Sequence, residues 1–258
     1  MRSSKPSIAD LRDVCQPESI LGRVSGEHWA GRLYMRRVSL YLTRWLLPTP
    51  ITADGVTWLM IGSGLVAAVF LAMPYLWAAV LAVVFIQLQL LFDCADGEIA
   101  RWRRATSPVG VYLDRIGHYS TDAALVAALG VRADGGFGSI DGWTTLGLAT
   151  AVLVLLIKSE TDLVHVARAH AGRALLSDGE TVMRPRGLRS LRQLVAYFPF
   201  HRVLLAIELS ALALLAAVVD LLAGSLIGSQ VLAVALLPVA VIVAGGHLLS
   251  ILVSRRLR

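Results

Sequence analysis

The chain has 258 residues, 56% of them hydrophobic and 16% charged, with a mean hydropathy of +0.68. Soluble domains carry about 45–50% apolar and about 25% charged residues, so an ordinary soluble domain, a disordered chain and a collagen or disulfide scaffold are all excluded. Lysine and arginine number 24 against 18 acidic residues. In a membrane protein that +6 excess belongs to cytoplasmic loops beside anionic lipid and argues against nucleic acid as a partner.

The first 17 residues are polar and hold no apolar run, so no signal peptide is expected there. Residues 27–47 have a helical apolar rhythm. Trp29, Leu33, Val38, Tyr41, Leu42 and Trp45 share a face, while Arg32, Arg36, Arg37 and Arg44 lie largely off it. That pattern suits a helix lying in the headgroup layer, or a plain anchor ahead of the first span. Six apolar stretches follow, near 56–73, 76–92, 109–130, 144–157, 203–222 and 231–253. Each approaches the roughly 20 residues that a membrane helix needs. The expectation is an all-α integral membrane protein with six transmembrane helices preceded by an amphipathic interfacial helix. Its parts are a cytoplasmic segment 1–49 and a six-span domain 50–258. Residues 1–49 hold eight Lys/Arg, more follow at Arg101, Arg103 and Arg104 and within 167–202, and the tail ends in Arg255, Arg256 and Arg258. The opposite loops hold only Arg132, so both termini are expected in the cytoplasm. Only Cys15 and Cys94 are present, without metal-type spacing, and two free thiols are expected.

The chemistry-bearing segment runs from Asp93 to His118. Asp93 and Asp96 are three apart, and residues at i and i+3 share a helix face. Asp114, His118 and Asp122 are spaced by four and share a face of the next stretch. Ionisable groups in membrane helices are costly and mark function. Three neighbouring acids repel unless a positive group sits between them. A hard divalent cation, Mg²⁺ or Mn²⁺, answers that need. The alternative is a structural ion-pair network with Arg101, Arg104 and Arg115. Gly97 and Gly110 permit close approach of a ligand or a backbone.

These residues carry a resemblance. The pattern Asp-x2-Asp-Gly-x2-Ala-Arg-x8-Gly-x3-Asp-x3-Asp is that of the CDP-alcohol phosphatidyltransferase family. The chain resembles it at Asp93, Asp96, Gly97, Ala100, Arg101, Gly110 and Asp114, with each spacing kept. The segment from Ile51 to Thr57 is similar to a family element at the start of the first span, with Ala53 and Asp54 as departures. His118 stands where the family has its fourth Asp. The resemblance implies metal ligation by Asp93, Asp96, Asp114 and His118, with two ions in the site. It implies donor contacts from Gly97, Ala100, Arg101, Ser107 and Gly110, together with Asp54 and Thr57. His118 is then left as the base, with Asp122 one turn on to hold its other ring nitrogen.

A family member of this kind would transfer a substituted phosphate from a CDP-alcohol, such as CDP-diacylglycerol, to a hydroxyl acceptor and release CMP. It would work as a homodimer in the cell membrane. The near-absence of lysine, with only Lys5 and Lys158, suits a GC-rich bacterial genome. Lys158, Glu160 and Asp162 at the end of the fourth stretch, and Glu208 as a mid-span carboxylate in the fifth, are candidates for an acceptor pocket. The basic run from Met183 to Arg192 suits lipid headgroups or a phosphorylated acceptor. His165, His170, His201 and His247 have no ligand spacing. Three other readings stay open: transfer from a soluble CDP-headgroup, a non-catalytic family member, and a cation carrier.

Overall fold

The computed structural model describes residues 6–18, 28–174 and 200–253. Among them every regular element is helical. The α-helices are α1 (Ile8–Cys15), α2 (Arg36–Leu46), α3 (Ala53–Leu71), α4 (Leu76–Arg103), α5 (Pro108–Ala133), α6 (Gly142–His170), α7 (Ala206–Ala223) and α8 (Ile227–Val253). Five of these, α3, α4, α6, α7 and α8, are long and apolar enough to cross a membrane. The chain is therefore a membrane protein. Helix α5 occupies the third expected stretch and has the length, 26 residues. It carries Asp114, Arg115, His118, Asp122 and Arg132, and it is not apolar enough to stand with the five.

The chain forms two compact units. The first comprises residues 1–64 with 85–118. Its first helix lies in the stretch that the sequence analysis read as plain polar chain. Helix α1 starts with a reciprocal cap, in which Ser7 Oγ accepts from Asp10 N and the Asp10 carboxylate accepts from Ser7 N, each at 3.1 Å. Leu11 and Cys15, one turn apart, are fully buried against Leu40 of α2. A π-helical turn, Gly31–Met35, leads into α2. Helix α2 has two working faces where the sequence suggested one. Ser39, Leu40, Thr43 and Leu46 are buried, while Val38, Tyr41 and Trp45 are exposed, as are Trp29 and Leu33 before it. Leu42 packs inward beside the core of Leu46, Val56, Ala95 and Ile99, which ties α2, α3 and α4 together. Arg103 is not a free loop charge. Its guanidinium donates to the carbonyls of Leu47 at 3.1 Å, Thr49 at 3.0 Å and Ile51, meeting acceptors that the end of α2 leaves open.

The second unit comprises residues 65–84 with 119–258. Here α8 packs along α6 and α7. Arg132 was expected in a loop, yet it is fully buried in the last turn of α5. It donates to Met73 O at 2.6 Å and Ser229 Oγ at 2.9 Å and pairs with Asp220 at 3.5 Å. Asp220 also accepts from Ser229 N at 3.0 Å and Ser229 Oγ at 2.5 Å. Asp134 caps α6 from across the connecting loop, accepting from Thr144 N at 2.7 Å and Asp141 N at 2.8 Å. Burial works against its charge, but the Thr144 hydroxyl and the backbone N–H groups hold its carboxyl below the usual range.

A buried ion pair is most sensitive to loss of one partner, which strands a charge at a cost of about 3–5 kcal/mol. Arg132→Met should therefore lower the unfolding midpoint sharply, and Arg132→Met with Asp220→Leu should recover most of that loss in the same thermal assay.

Burial, followed by the charge of Glu98, pushes the Cys15 thiol up to about 11. The folded state holds that proton between 9.0 and about 11, where an unfolded thiol has lost it. The contribution to folding is complete below 9.0 and is lost as pH rises toward the upper value. Alkylation by a maleimide at pH 8 should be slow in the folded protein and fast in denaturant, with the protection falling away above pH 9.

Candidate active site

The motif occupies the last turns of α4 and the first turns of α5. Helix α4 does not stop where its apolar residues end. It continues through Asp93, Asp96 and Gly97 to Arg103, so the i, i+3 relation of the two acids is real helix geometry. The chain then reverses within four residues. Arg104 takes the left-handed conformation at φ 52°, and Ala105 N donates to Ala100 O at 2.9 Å, the kind of bond that closes a helix end. Ser107 and Pro108 start α5, with Pro at the first helical position and Ser107 Oγ accepting from Gly110 N at 2.9 Å. Ser107 and Ala100, both expected at the donor, thus also shape the turn between the two helices.

This short reversal sets Asp114 and His118 of α5 opposite Asp93 of α4. His118 Nε2 lies 3.0 Å from Asp93 Oδ1 and 3.5 Å from Asp114 Oδ1. One ligand atom from each of the three falls within 4.8 Å of the others, and all three side chains are half-buried. Two carboxylate oxygens and one imidazole nitrogen, converging and partly open, form a donor set that suits a divalent cation. The residues present therefore fit a metal. The structure brings together three of the four expected ligands. The fourth, Asp96, is buried and accepts from Thr57 Oγ1 at 2.7 Å, so Asp96 and Thr57 are joined to each other.

Arg101 is fixed rather than free. Its Nε donates to the Cys15 carbonyl at 2.7 Å, and its guanidinium folds back over Gly97. A Cβ on Gly97 would come within 3.0 Å of Arg101 Nη1, so the missing side chain is what gives the guanidinium its place. Arg101 Nη2 is buried with no hydrogen-bond partner among the described residues. A buried, unmet donor on a cation marks a place for an anionic oxygen. Asp54 and Gly110 are also close, with Asp54 Oδ1 3.1 Å from where a Gly110 Cβ would stand.

Other expected residues have different surroundings. Asp122 accepts from Ala206 N at 2.8 Å and pairs with Lys158. Lys158, Glu160 and Asp162 lie on α6, which runs on to His170. Tyr119 OH donates to Asp162 and to Lys158 O, and Glu160 meets His247 Nδ1 at 2.7 Å. Glu208 was expected at mid-span but sits in the first turn of α7, where a carboxylate complements the helix N-terminus. The basic run 183–192 and the arginines of the tail lie outside the described residues. One residue was missed altogether. Glu98 is fully buried and accepts from Gln16 Nε2 at 2.7 Å, Ser39 Oγ at 2.6 Å and Thr43 Oγ1 at 2.6 Å. Its signal was an acid two residues past Asp96, facing the opposite side of the helix.

A membrane protein that is helical in every regular element of its described residues, with an Asp–Asp–His centre at the junction of two consecutive helices, is thus defined. The family model for CDP-alcohol phosphatidyltransferase matches residues 51–244, three-quarters of the chain and the whole motif. The chain belongs to that family, whose members are transferases of the CDP-alcohol phosphotransferase type and typically use a divalent metal. A comparison with curated proteins finds no match.

The centre predicts a metal-binding result that needs no turnover. Mn²⁺ titration followed by electron paramagnetic resonance should show Asp93→Asn and Asp114→Asn each weakening binding by more than about tenfold, since even outer-shell partners of a ligand cost about that much.

Proposed function

We propose that this protein transfers a phosphatidyl group from CDP-diacylglycerol to a small hydroxyl acceptor, releasing CMP. The convergence of Asp93, Asp114 and His118 within the family motif is the observation that carries this reading. Mg²⁺ or Mn²⁺, as a pair of ions, would be held by Asp93, Asp114 and His118, with Asp96 beside them. When bound, the ions supply charge neutralisation at the diphosphate and at the departing CMP.

The chain's own residues account for the rest. Arg101, with its Nε held and Nη2 unmet, binds a diphosphate oxygen. Gly97 and Gly110 leave the donor room to approach, and Asp54, Thr57, Ala100 and Ser107 line that approach. The acceptor oxygen forms a bond to the phosphatidyl phosphorus while the bond from that phosphorus to the CMP oxygen breaks. The acceptor proton passes to His118. Imidazole suits this task because its ordinary pKa lies near neutrality. In the structure His118 Nε2 faces both carboxylates, so the same nitrogen serves either as ligand or as proton acceptor at a given moment. Asp122, Lys158 and Glu208 belong to the acceptor side in this reading.

In the membrane, α5 is the sixth span, with Asp122 and Arg132 buried in protein rather than facing lipid. The exposed Trp29, Leu33, Val38, Tyr41 and Trp45 rest at the lipid interface, which supports the interfacial role of the N-terminal region. Both termini face the cytoplasm of a bacterial cell, and the protein works as a homodimer.

CMP release from CDP-diacylglycerol in nanodiscs, with a panel of hydroxyl acceptors, tests the reading. It should require Mg²⁺ or Mn²⁺, stop with a chelator, and fall at least about a hundredfold in Asp93→Asn, Asp96→Asn and Asp114→Asn, the scale of losing a charge-stabilising group. His118→Ala should lose most turnover, while His118→Asp, which restores the family pattern, should keep part of it. Release from a soluble CDP-headgroup alone would redirect the reading to the reverse arrangement, and no release from any donor would mark a non-catalytic member.

A further inference from the structure

The family match begins at residue 51, yet the residue that holds Arg101 lies before it. Arg101 Nε donates to the carbonyl of Cys15, the last residue of α1. A helix of eight residues cannot hold itself in place, because isolated helices of that length are marginal in water. The anchor is Glu98, one turn before Arg101 on α4. Gln16, immediately after α1, donates from one amide nitrogen to Glu98 Oε1 at 2.7 Å and to Arg36 O at 2.7 Å. The same carboxylate gathers Ser39 and Thr43 of α2, and Arg36 Nη1 stands 3.9 Å away. Cys15 Sγ adds a weak contact to Glu98 O at 3.3 Å. Glu98 is thus the node at which α1, α2 and α4 meet.

We propose that Glu98 and Gln16 are positioning residues for donor recognition, acting through α1 to hold the Arg101 guanidinium over Gly97. This rests on the proposed function, in which Arg101 meets the diphosphate. A guanidinium whose Nε is already bonded has only its Nη atoms left to offer. Their direction is then set by the Cys15 carbonyl. Freeing α1 would return Arg101 to the ensemble of a long flexible side chain, and that ordering would have to be done by the substrate. The effect falls on donor binding, because neither Glu98 nor Gln16 reaches the metal ligands or the acceptor.

The test uses full-length protein in nanodiscs, with KM for CDP-diacylglycerol, KM for the acceptor and kcat measured separately. Gln16→Ala should raise the donor KM by about tenfold, the scale of one hydrogen bond to a charged group, with kcat and acceptor KM changed less than about twofold. Ser7→Ala loosens α1 through its cap without touching α4, and it should shift the donor KM in the same direction by less. In an Arg101→Ala background, Gln16→Ala should add no further loss, because both act on one guanidinium. Equilibrium binding of CDP-diacylglycerol gives the same comparison for any variant too slow to assay. Independent, multiplying effects of Gln16→Ala and Arg101→Ala would overturn the proposal, as would loss of thermal stability with an unchanged donor KM. If Arg101→Ala itself left the donor KM unchanged, the diphosphate role of Arg101 would fall and this proposal with it. If Arg101→Ala weakened the donor while Gln16→Ala and Ser7→Ala did not, only the positioning role would fall.

Discussion

A charged group buried among apolar helices must be met by an opposite charge, by hydrogen-bond donors, or by a bound ion. Much of the local architecture here follows from that constraint, because the chain places acids deep in helices that are otherwise apolar. Glu98 is met by an amide, two hydroxyls and a nearby guanidinium. Asp220 is met by Arg132 and Ser229, and Asp122 by Lys158 and a backbone N–H. Each of these has its charge answered inside the protein. Asp93 and Asp114 differ from them. They share one imidazole nitrogen and remain half-open. This contrast separates acids that hold the fold from acids available for a ligand.

The first unit joins both kinds on one helix. Around the last turns of α4, Asp93 faces α5 while Glu98 faces α1 and α2, and Arg101 lies between them over Gly97. An anionic substrate binding there would complete a charge arrangement already half-built. The N-terminal helices then do more than precede the spans, since the Cys15 carbonyl at the end of α1 holds the Arg101 guanidinium, the group proposed to meet the donor.

Much of this was legible in the residues. The apolar stretches near 56–73, 76–92, 144–157, 203–222 and 231–253 became α3, α4, α6, α7 and α8, because about 20 apolar residues leave few other options. The i, i+4 spacing put Asp114 and His118 on one face of α5, and the short connection after α4 set that face opposite Asp93, whereas the i, i+3 partner Asp96 turned to Thr57 instead. Helix boundaries were less legible. Polar residues end an apolar run without ending a helix, so α4 and α6 run past their apolar residues, and Glu208 moved from mid-span to a first turn. Helix α1 was missed because its apolar residues, Ile8, Ala9, Leu11, Val14 and Cys15, fall within only eight positions broken by Asp10, Arg12 and Asp13, although Ser7 and Asp10 spelled a capping box. Glu98 and Arg132 were illegible for a different reason. Whether a charge is solvated or buried depends on what packs over it, and that depends on the tertiary fold.

The central claim is that the half-open acids hold a cation in direct contact with the diphosphate of the donor. Electron–nuclear double resonance on Mn²⁺-loaded protein with CDP-diacylglycerol bound measures that contact through the ³¹P coupling. The account predicts a strong ³¹P coupling that is lost in Asp93→Asn and Asp114→Asn. Mn²⁺ bound at this centre with no ³¹P coupling in the presence of saturating donor would contradict it.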